Sequence, residues 1–209
     1  MSTRSTSPVA SLAEKAPEPK FYVVSVKKMI VMLIFSMGLY FWYWNYRNWK
    51  NYRRVTGEPV IPLLRAIFYL FFLHALLERV DRGLRSQSAS VEWSPRLLVV
   101  GVITSVVYSI FYCNLLPLES ALDWVMSTFG LYAVYLLNAF QLLAVFLYFA
   151  QLWLMARIQR VINLHESDPH ATGNNRLTGV DWFWMLPGIL VLLGAIVFLI
   201  FLFYAFRII

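Results

Sequence analysis

The sequence predicts an all-α integral membrane protein, a bundle of five hydrophobic helices, and three observations carry that prediction. The 209-residue chain is 60% hydrophobic and only 14% charged, with a mean hydropathy of +0.62. Soluble domains carry roughly a quarter charged residues, so too little polar surface remains here to coat a globule in water. Five apolar segments follow one another, at 29–46, 60–77, 97–116, 128–156 and 183–206. Each is close to or above the ~20 residues that cross a hydrocarbon core about 30 Å thick. Finally, the first segment ends in an aromatic block, Tyr40 to Tyr46 plus Trp49, that gives way to Arg47, Lys50, Arg53 and Arg54. Aromatic rings settle at headgroup level and Lys and Arg mark the cytoplasmic side, so a helix leaves the bilayer there. Backbone groups in lipid must pair within their own segment, which makes helix the state expected of all five.

Residues 1–20 are rich in Ser, Thr, Pro and Ala and lack an apolar core. They read as a disordered tail and not as a cleavable signal peptide, leaving 21–209 as a single helical transmembrane domain. The second segment opens on Pro59 and Pro62, carries Arg65 one turn in, and closes on His74, Glu78 and Arg79. Proline is tolerated at a helix start, so a helix is expected, interfacial or re-entrant. The third segment leads to a loop at 117–127 that holds Glu119 and Asp123 and no cation, expected outside. The fourth would be roughly 43 Å long as a helix and must tilt or protrude; Gln151 and Trp153 are expected near its exit, with Arg157 and Arg160 beyond. The loop at 157–181 is then inside, and Leu190 to Phe203 form the plainest apolar run of the last span.

Charge counting does not choose between four crossings and five. Lys and Arg fall as five in residues 4–28, five in 47–65, four in 79–96, three in 157–176, and Arg207 alone. Four crossings with the N-terminus outside, or five with it inside, each place twelve cations inside and six outside. An internal similarity favours four. Gly38-Leu39-Tyr40-x-x-Tyr43 recurs 92 positions later as Gly130-Leu131-Tyr132-x-x-Tyr135, and Val91-Glu92-Trp93 recurs 89 positions later as Val180-Asp181-Trp182. Two words at nearly one offset suggest a duplicated unit of about 90 residues, and copies in one orientation each need an even number of spans.

Cys113 is the only cysteine, which excludes an intramolecular disulfide and a Cys-based zinc site. The net charge of +7 sits beside apolar segments, where membrane orientation and anionic lipid account for it and nucleic acid is not expected. No nucleophile elbow, Walker loop or HExxH helix occurs, so neither catalysis, a cofactor nor a metal is expected. The candidate contacts to lipid, to a membrane protein partner or to a second copy are Trp44, Arg47, Asn48, Trp49, Lys50, Arg54 and Arg65. Arg47, Lys50 and Arg54 are spaced to share one helical face. Arg65, in an apolar run, must snorkel or find an anion, and a lipid phosphate suits its forked donors.

Asn114, Asn138 and Gln141 are the candidate intramembrane polar residues, lining a transporter-like route or making interhelical hydrogen bonds worth about 1 kcal/mol or less. His74 and Glu78, four apart, read as an ion-paired helix end. His165, Glu166, Asp168 and His170 stand beside Pro169, Gly173, Asn174 and Asn175 and read as turn chemistry.

The words Gly-Leu-Tyr-x-x-Tyr-Trp-x-Tyr-Arg-Asn-Trp-Lys at 38–50 and Pro-x-x-Arg-Ala-x-Phe at 62–68 are similar to those of a family of bacterial inner-membrane proteins with no established activity. The resemblance covers about residues 21 to 85. It implies a bacterial cytoplasmic membrane, and it singles out Trp44, Arg47, Asn48, Trp49, Pro62 and Arg65. The function expected is that of a non-enzymatic membrane component whose basic, aromatic inner face meets lipid or a partner.

Overall fold

The structure, a computed structural model, describes residues 18–87, 92–115 and 119–208, so most of the expected tail lies outside it. Among the described residues it holds eight α-helices, one short 3-10 turn and no strand. The all-α expectation holds; the division into elements differs.

The first apolar segment is two helices, α1 (Val26–Phe35) and α2 (Leu39–Thr56). Ser25 caps α1 by accepting the Lys28 amide at 3.2 Å. At ten residues α1 is about 15 Å long, and the chain then reverses at Ser36–Gly38, where Met37 and Gly38 have φ of 52° and 88°. The turn pairs its own backbone. Ser36 to Leu39 donate to Met32, Ile34, Leu33 and Ser36 carbonyls in order, Tyr40 donates to Ser36 Oγ, and Phe41 donates to Gly38 O. α2 ends at Gly57, left-handed at φ 72°, with Arg53 and Arg54 in its last turn, where cations complement the helix dipole.

The second segment is also broken. α3 (Pro62–Ile67) and α4 (Tyr69–Ser86) meet at Phe68, whose φ and ψ are −93° and 37°. The break lies beside the far part of α2, the Phe41 and Tyr69 rings being 4.6 Å apart. Both ends of the segment return to the other pole. Glu58, just before α3, pairs with Arg79 at 3.4 Å, and Gln87, just after α4, donates to His165 O.

α5 (Pro95–Leu115) starts at that same pole and runs antiparallel to α7 (Leu131–His165), with Gly101 against Leu154 and Tyr108 donating to Phe140 O. The expected outer loop holds a helix, α6 (Glu119–Phe129), which turns at Gly130 into α7. α7 starts three residues later than the fourth apolar segment and continues nine beyond it, so Arg157 and Arg160 lie on the helix and not after it. α8 (Gly179–Ile208) begins beside α1, with Pro187 inside it.

Among the described residues two helices, not the four or five expected, are long and apolar enough to cross a membrane, Leu131–His165 and Gly179–Ala205, and the apolar stretch Pro95–Phe111 is shorter. Leu131, Tyr132, Phe146, Leu190, Val197 and Phe201 along the two long helices are all exposed. A helix of a soluble core would bury such residues, and soluble proteins rarely expose contiguous apolar surface of this extent. The packed interior runs from the closed end of the first hairpin, at Leu33, Tyr40 and Phe41, to one pole of the bundle, at Phe21, Trp49, Ile158 and Ile162. Every described Lys and Arg except Arg207 belongs to this basic pole, since α1, α5 and α8 start there and α2, α4 and α7 finish there.

The duplication expected from the repeated words is not seen. Gly38 and Gly130 each precede a helix with positive φ, but Tyr40 is fully buried while Tyr132 is 75% exposed. One word opens an 18-residue helix of the core and the other a 35-residue bare helix. Trp93 lies in the linker before α5, whereas Trp182 lies within α8.

Candidate functional site

The chain enters the fold as an extended segment, Phe21–Ser25, buried at Phe21, Tyr22 and Val24. Buried backbone groups need partners, and no strand lies alongside; side-chain amides serve instead. Asn48 on α2 accepts the Tyr22 amide at 3.1 Å. Gln159 on α7 donates to Tyr22 O and to Asn163 Oδ1, and accepts from the Trp44 indole at 2.6 Å. Asn163 donates to Val24 O, and Asn174 donates to Val23 O and to the Tyr22 hydroxyl. Glu166 accepts the Lys20 and Phe21 amides at 2.8 and 3.0 Å, with His165 Nδ1 at 2.8 Å. Lys28, almost wholly buried, pairs with Asp181 at 2.6 Å and donates to Asn174 Oδ1 and Arg176 O. This clasp fixes α1 against α2, α7 and α8. Burial raises the Tyr22 hydroxyl above its ordinary pKa, keeping it a neutral donor and acceptor.

Beside the clasp, two guanidinium groups lie over one indole. Arg65 on α3 is 4.1 Å from the Trp49 ring centroid and Arg79 on α4 is 5.3 Å away. Arg65 also covers Phe72, and Arg79 covers Tyr52. Trp49 Nε1, Arg65 Nη1 and Arg79 Nε are buried without an acceptor. Glu58 approaches Arg79 and accepts the Tyr52 hydroxyl, so one carboxylate faces two guanidiniums. Burial first, and then the neighbouring Arg79, pull Arg65 below the usual arginine value. Cation–π contact offsets part of that cost, but the site keeps more donors and more positive charge than it can pair internally.

The sequence candidates divide accordingly. Trp44, Asn48 and Trp49, expected at a lipid or partner surface, are fully buried and are corrected to parts of the interior, two of them in the clasp. Arg47, Lys50, Arg54 and Arg65 form a rim around it. Arg47 donates to the Tyr43 hydroxyl at 2.8 Å and lies 4.7 Å over Tyr22; Lys50 is exposed beside Tyr46; Arg54 pairs with Glu18 at 3.0 Å with both side chains about half exposed. Arg47 and Arg54 border a water-facing cavity of about 720 Å³ that Asp168, Asn174 and Asp181 also line.

Of the polar-route residues, the two whose side chains are described, Asn138 and Gln141, both lie on the exposed surface of α7. Asn138 is exposed and donates to Val134 O of its own helix, Gln141 is exposed, and the side chains of Asn114 and Cys113 lie outside the described residues. His74 and Glu78 are 3.6 Å apart on the outside of α4, the ion-paired arrangement expected. Asp168 closes a turn by accepting the Thr172 amide, whereas Glu166 and His165 hold the entering segment. The sequence singled out neither Gln159 nor Asn163, and it read Asn174 as turn chemistry and Arg79 as a helix end. The class defined by fold and rim is an all-α protein with two helices able to cross a bilayer and a basic aromatic pole. Comparisons with protein-family models, curated proteins and solved structures give no match.

Proposed function

We propose that the chain is a multi-pass protein of a bacterial cytoplasmic membrane that acts without catalysis, holding anionic lipid headgroups at the rim formed by Arg47, Lys50, Arg54 and Arg65. The observation that carries this reading is the donor-rich, acceptor-poor cluster of Arg65, Arg79 and Trp49, flanked on α3 by the exposed apolar Leu63, Leu64 and Ile67. A phosphate diester offers only acceptors and a negative charge, and the guanidinium fork matches it. The resemblance at 38–50 and 62–68 supports the bacterial inner membrane as the location.

In this reading α5, α7 and α8 cross, and α1–α4 stay in the cytoplasmic half. The cation count that ties for four or five full spans then becomes one-sided: Arg207 alone lies beyond the far face, and all other Lys and Arg are cytoplasmic. That asymmetry supports three crossings with two half-depth pairs.

Native mass spectrometry of the protein extracted gently from its own membrane tests the function. Anionic lipid should remain bound, and Arg47→Ala with Arg65→Ala should release it while the helical content stays unchanged. Equal lipid retention in the double variant rejects the headgroup reading. A stoichiometric second polypeptide, or a second copy, lost in the double variant assigns the rim to a protein instead.

A further inference from the structure

We infer that α1–α4 form a wedge confined to one leaflet, so that the protein gathers on, and promotes, membrane that is convex on the side of its N-terminal helices. The inference rests on the reading that α5, α7 and α8 cross the bilayer.

Depth is read from α8. α1 and α8 leave the basic pole together, tied by Lys28 and Asp181, and the tip of α1 meets α8 at Gly188, where an added Cβ would fall on the Phe35 backbone. Gly188 is nine residues into α8, about 13 Å along its axis, and α8 continues for another twenty residues, about 30 Å. The first hairpin therefore stops in the near leaflet. Its closed end is fit for hydrocarbon in two respects. Irregular backbone at that depth must satisfy its own polar groups, and every amide from Ser36 to Phe41 is paired within the turn. Its outward side chains are apolar: Ile34, Met37 and Trp42 are 41%, 63% and 52% exposed. The second pair shares the apolar exterior, with Ile67, Phe68 and Phe71 exposed around its break, and its charged end lies at Glu58 and Arg79.

Acyl chains of one leaflet are the occupant that fits this surface. The apolar tips face the bilayer interior, and the open ends of both pairs carry the cations that face phosphate. Four helical sections, each about 10 Å across, add on the order of 300 Å² to one leaflet, whereas among the described residues the far side receives the 11-residue α6. Cross-sectional area added to one leaflet is accommodated at least cost where that leaflet is already expanded, which is why shallow apolar insertion responds to curvature.

The full-length protein, labelled at its N-terminus, would be reconstituted into phosphatidylethanolamine–phosphatidylglycerol vesicles of mixed size. An impermeant quencher separates molecules whose N-terminus faces out from those facing in. Outward-facing molecules should be about three times denser on vesicles under about 60 nm than on those above about 200 nm. Inward-facing molecules of the same preparation should show the opposite trend. Ile34→Ser, Met37→Ser and Trp42→Ser together, all at exposed positions, should abolish both trends while the protein still floats with the vesicles. Flat distributions for the unaltered protein, with flotation intact, overturn the wedge and leave the membrane reading standing. Absence of flotation overturns both. A triple variant that sorts like the unaltered protein overturns the assignment to the hairpin tip.

Discussion

Gln159 accepts from the Trp44 indole and donates to both Tyr22 O and Asn163 Oδ1, so a leucine there would leave one donor and two acceptors without partners in a dry interior. Each stranded buried group costs about 1–3 kcal/mol, and neighbouring Asn163 can reorient to recover part. Gln159→Leu is therefore expected to destabilise the detergent-solubilised protein by about 3 kcal/mol, read from denaturant unfolding of the helical signal. At the rim, Tyr52 first and then Arg79 hold the Glu58 carboxyl below its ordinary value of 4.5. A depressed carboxylate contributes stability that is fully present above the ordinary value and lost as the pH falls through the depressed one. Thermal midpoints followed downward from neutral pH should show an acid-side loss that Glu58→Gln diminishes, and identical profiles would reject the coupling. At this scale the sequence is a partial guide. Trp44, Asn48 and Trp49 stand out because aromatics and amides beside cations mark a bilayer exit. Asn48 serves equally well to pair an extended backbone, with Trp44 behind it on Gln159, and only the docking of Phe21–Ser25, 26 residues from Asn48 and 137 from Gln159, distinguishes the two roles. Gln159 and Asn163 are single amides on a long apolar helix and carry no signal that separates clasp from surface.

Two glycines of one helix isolate what joins the first hairpin to α8. Gly188 lies against the backbone of Phe35, while a Cβ at Gly194 would meet nothing within 4 Å. Helical alanine is favoured over glycine by up to about 1 kcal/mol where space allows, and forced overpacking costs about 1–3 kcal/mol. Gly194→Ala should leave stability level or slightly raised, and Gly188→Ala should lower it by about 2 kcal/mol, because backbone atoms cannot rotate aside as a side chain would. Equal effects at both positions, measured by thermal unfolding in one detergent, would mean that α1 is not held at Gly188. The helical state of every apolar segment was legible from hydropathy and length. The breaks were not. Hydropathy averages across Ser36–Gly38 because Met37 is apolar whatever its φ, and glycine occurs in uninterrupted spans as well as at turns. Phe68 has the same character, so an 18-residue apolar run at 29–46 conceals a reversal. α6 was hidden for the opposite reason: the two carboxylates Glu119 and Asp123 made an amphipathic helix read as a loop.

For the whole molecule, the three topologies differ at two positions and agree at the C-terminus, so a reporter on the last helix decides nothing. Four crossings place the N-terminus outside and the loop between α2 and α3 inside. Five crossings reverse both. Half-depth pairs place both inside, which is the arrangement that leaves Arg207 as the one Lys or Arg beyond the far face. Cys113 is the chain's only cysteine, so Cys113→Ala supplies a clean background for Ser5→Cys and, separately, Ile61→Cys at an exposed position of that loop. Neither introduced thiol should react with an impermeant maleimide added to intact spheroplasts, and both should react in inverted membrane vesicles. Labelling of Ser5→Cys from outside would restore four full spans and remove the half-depth first hairpin. Labelling of Ile61→Cys from outside would instead require α2 to cross alone, although its 18 residues carry Arg47, Lys50, Arg53 and Arg54, charges that are costly at bilayer depth. Protection at both sites places the clasp and the Arg65–Trp49–Arg79 cluster at one cytoplasmic face, next to the phosphates that the cluster is proposed to hold.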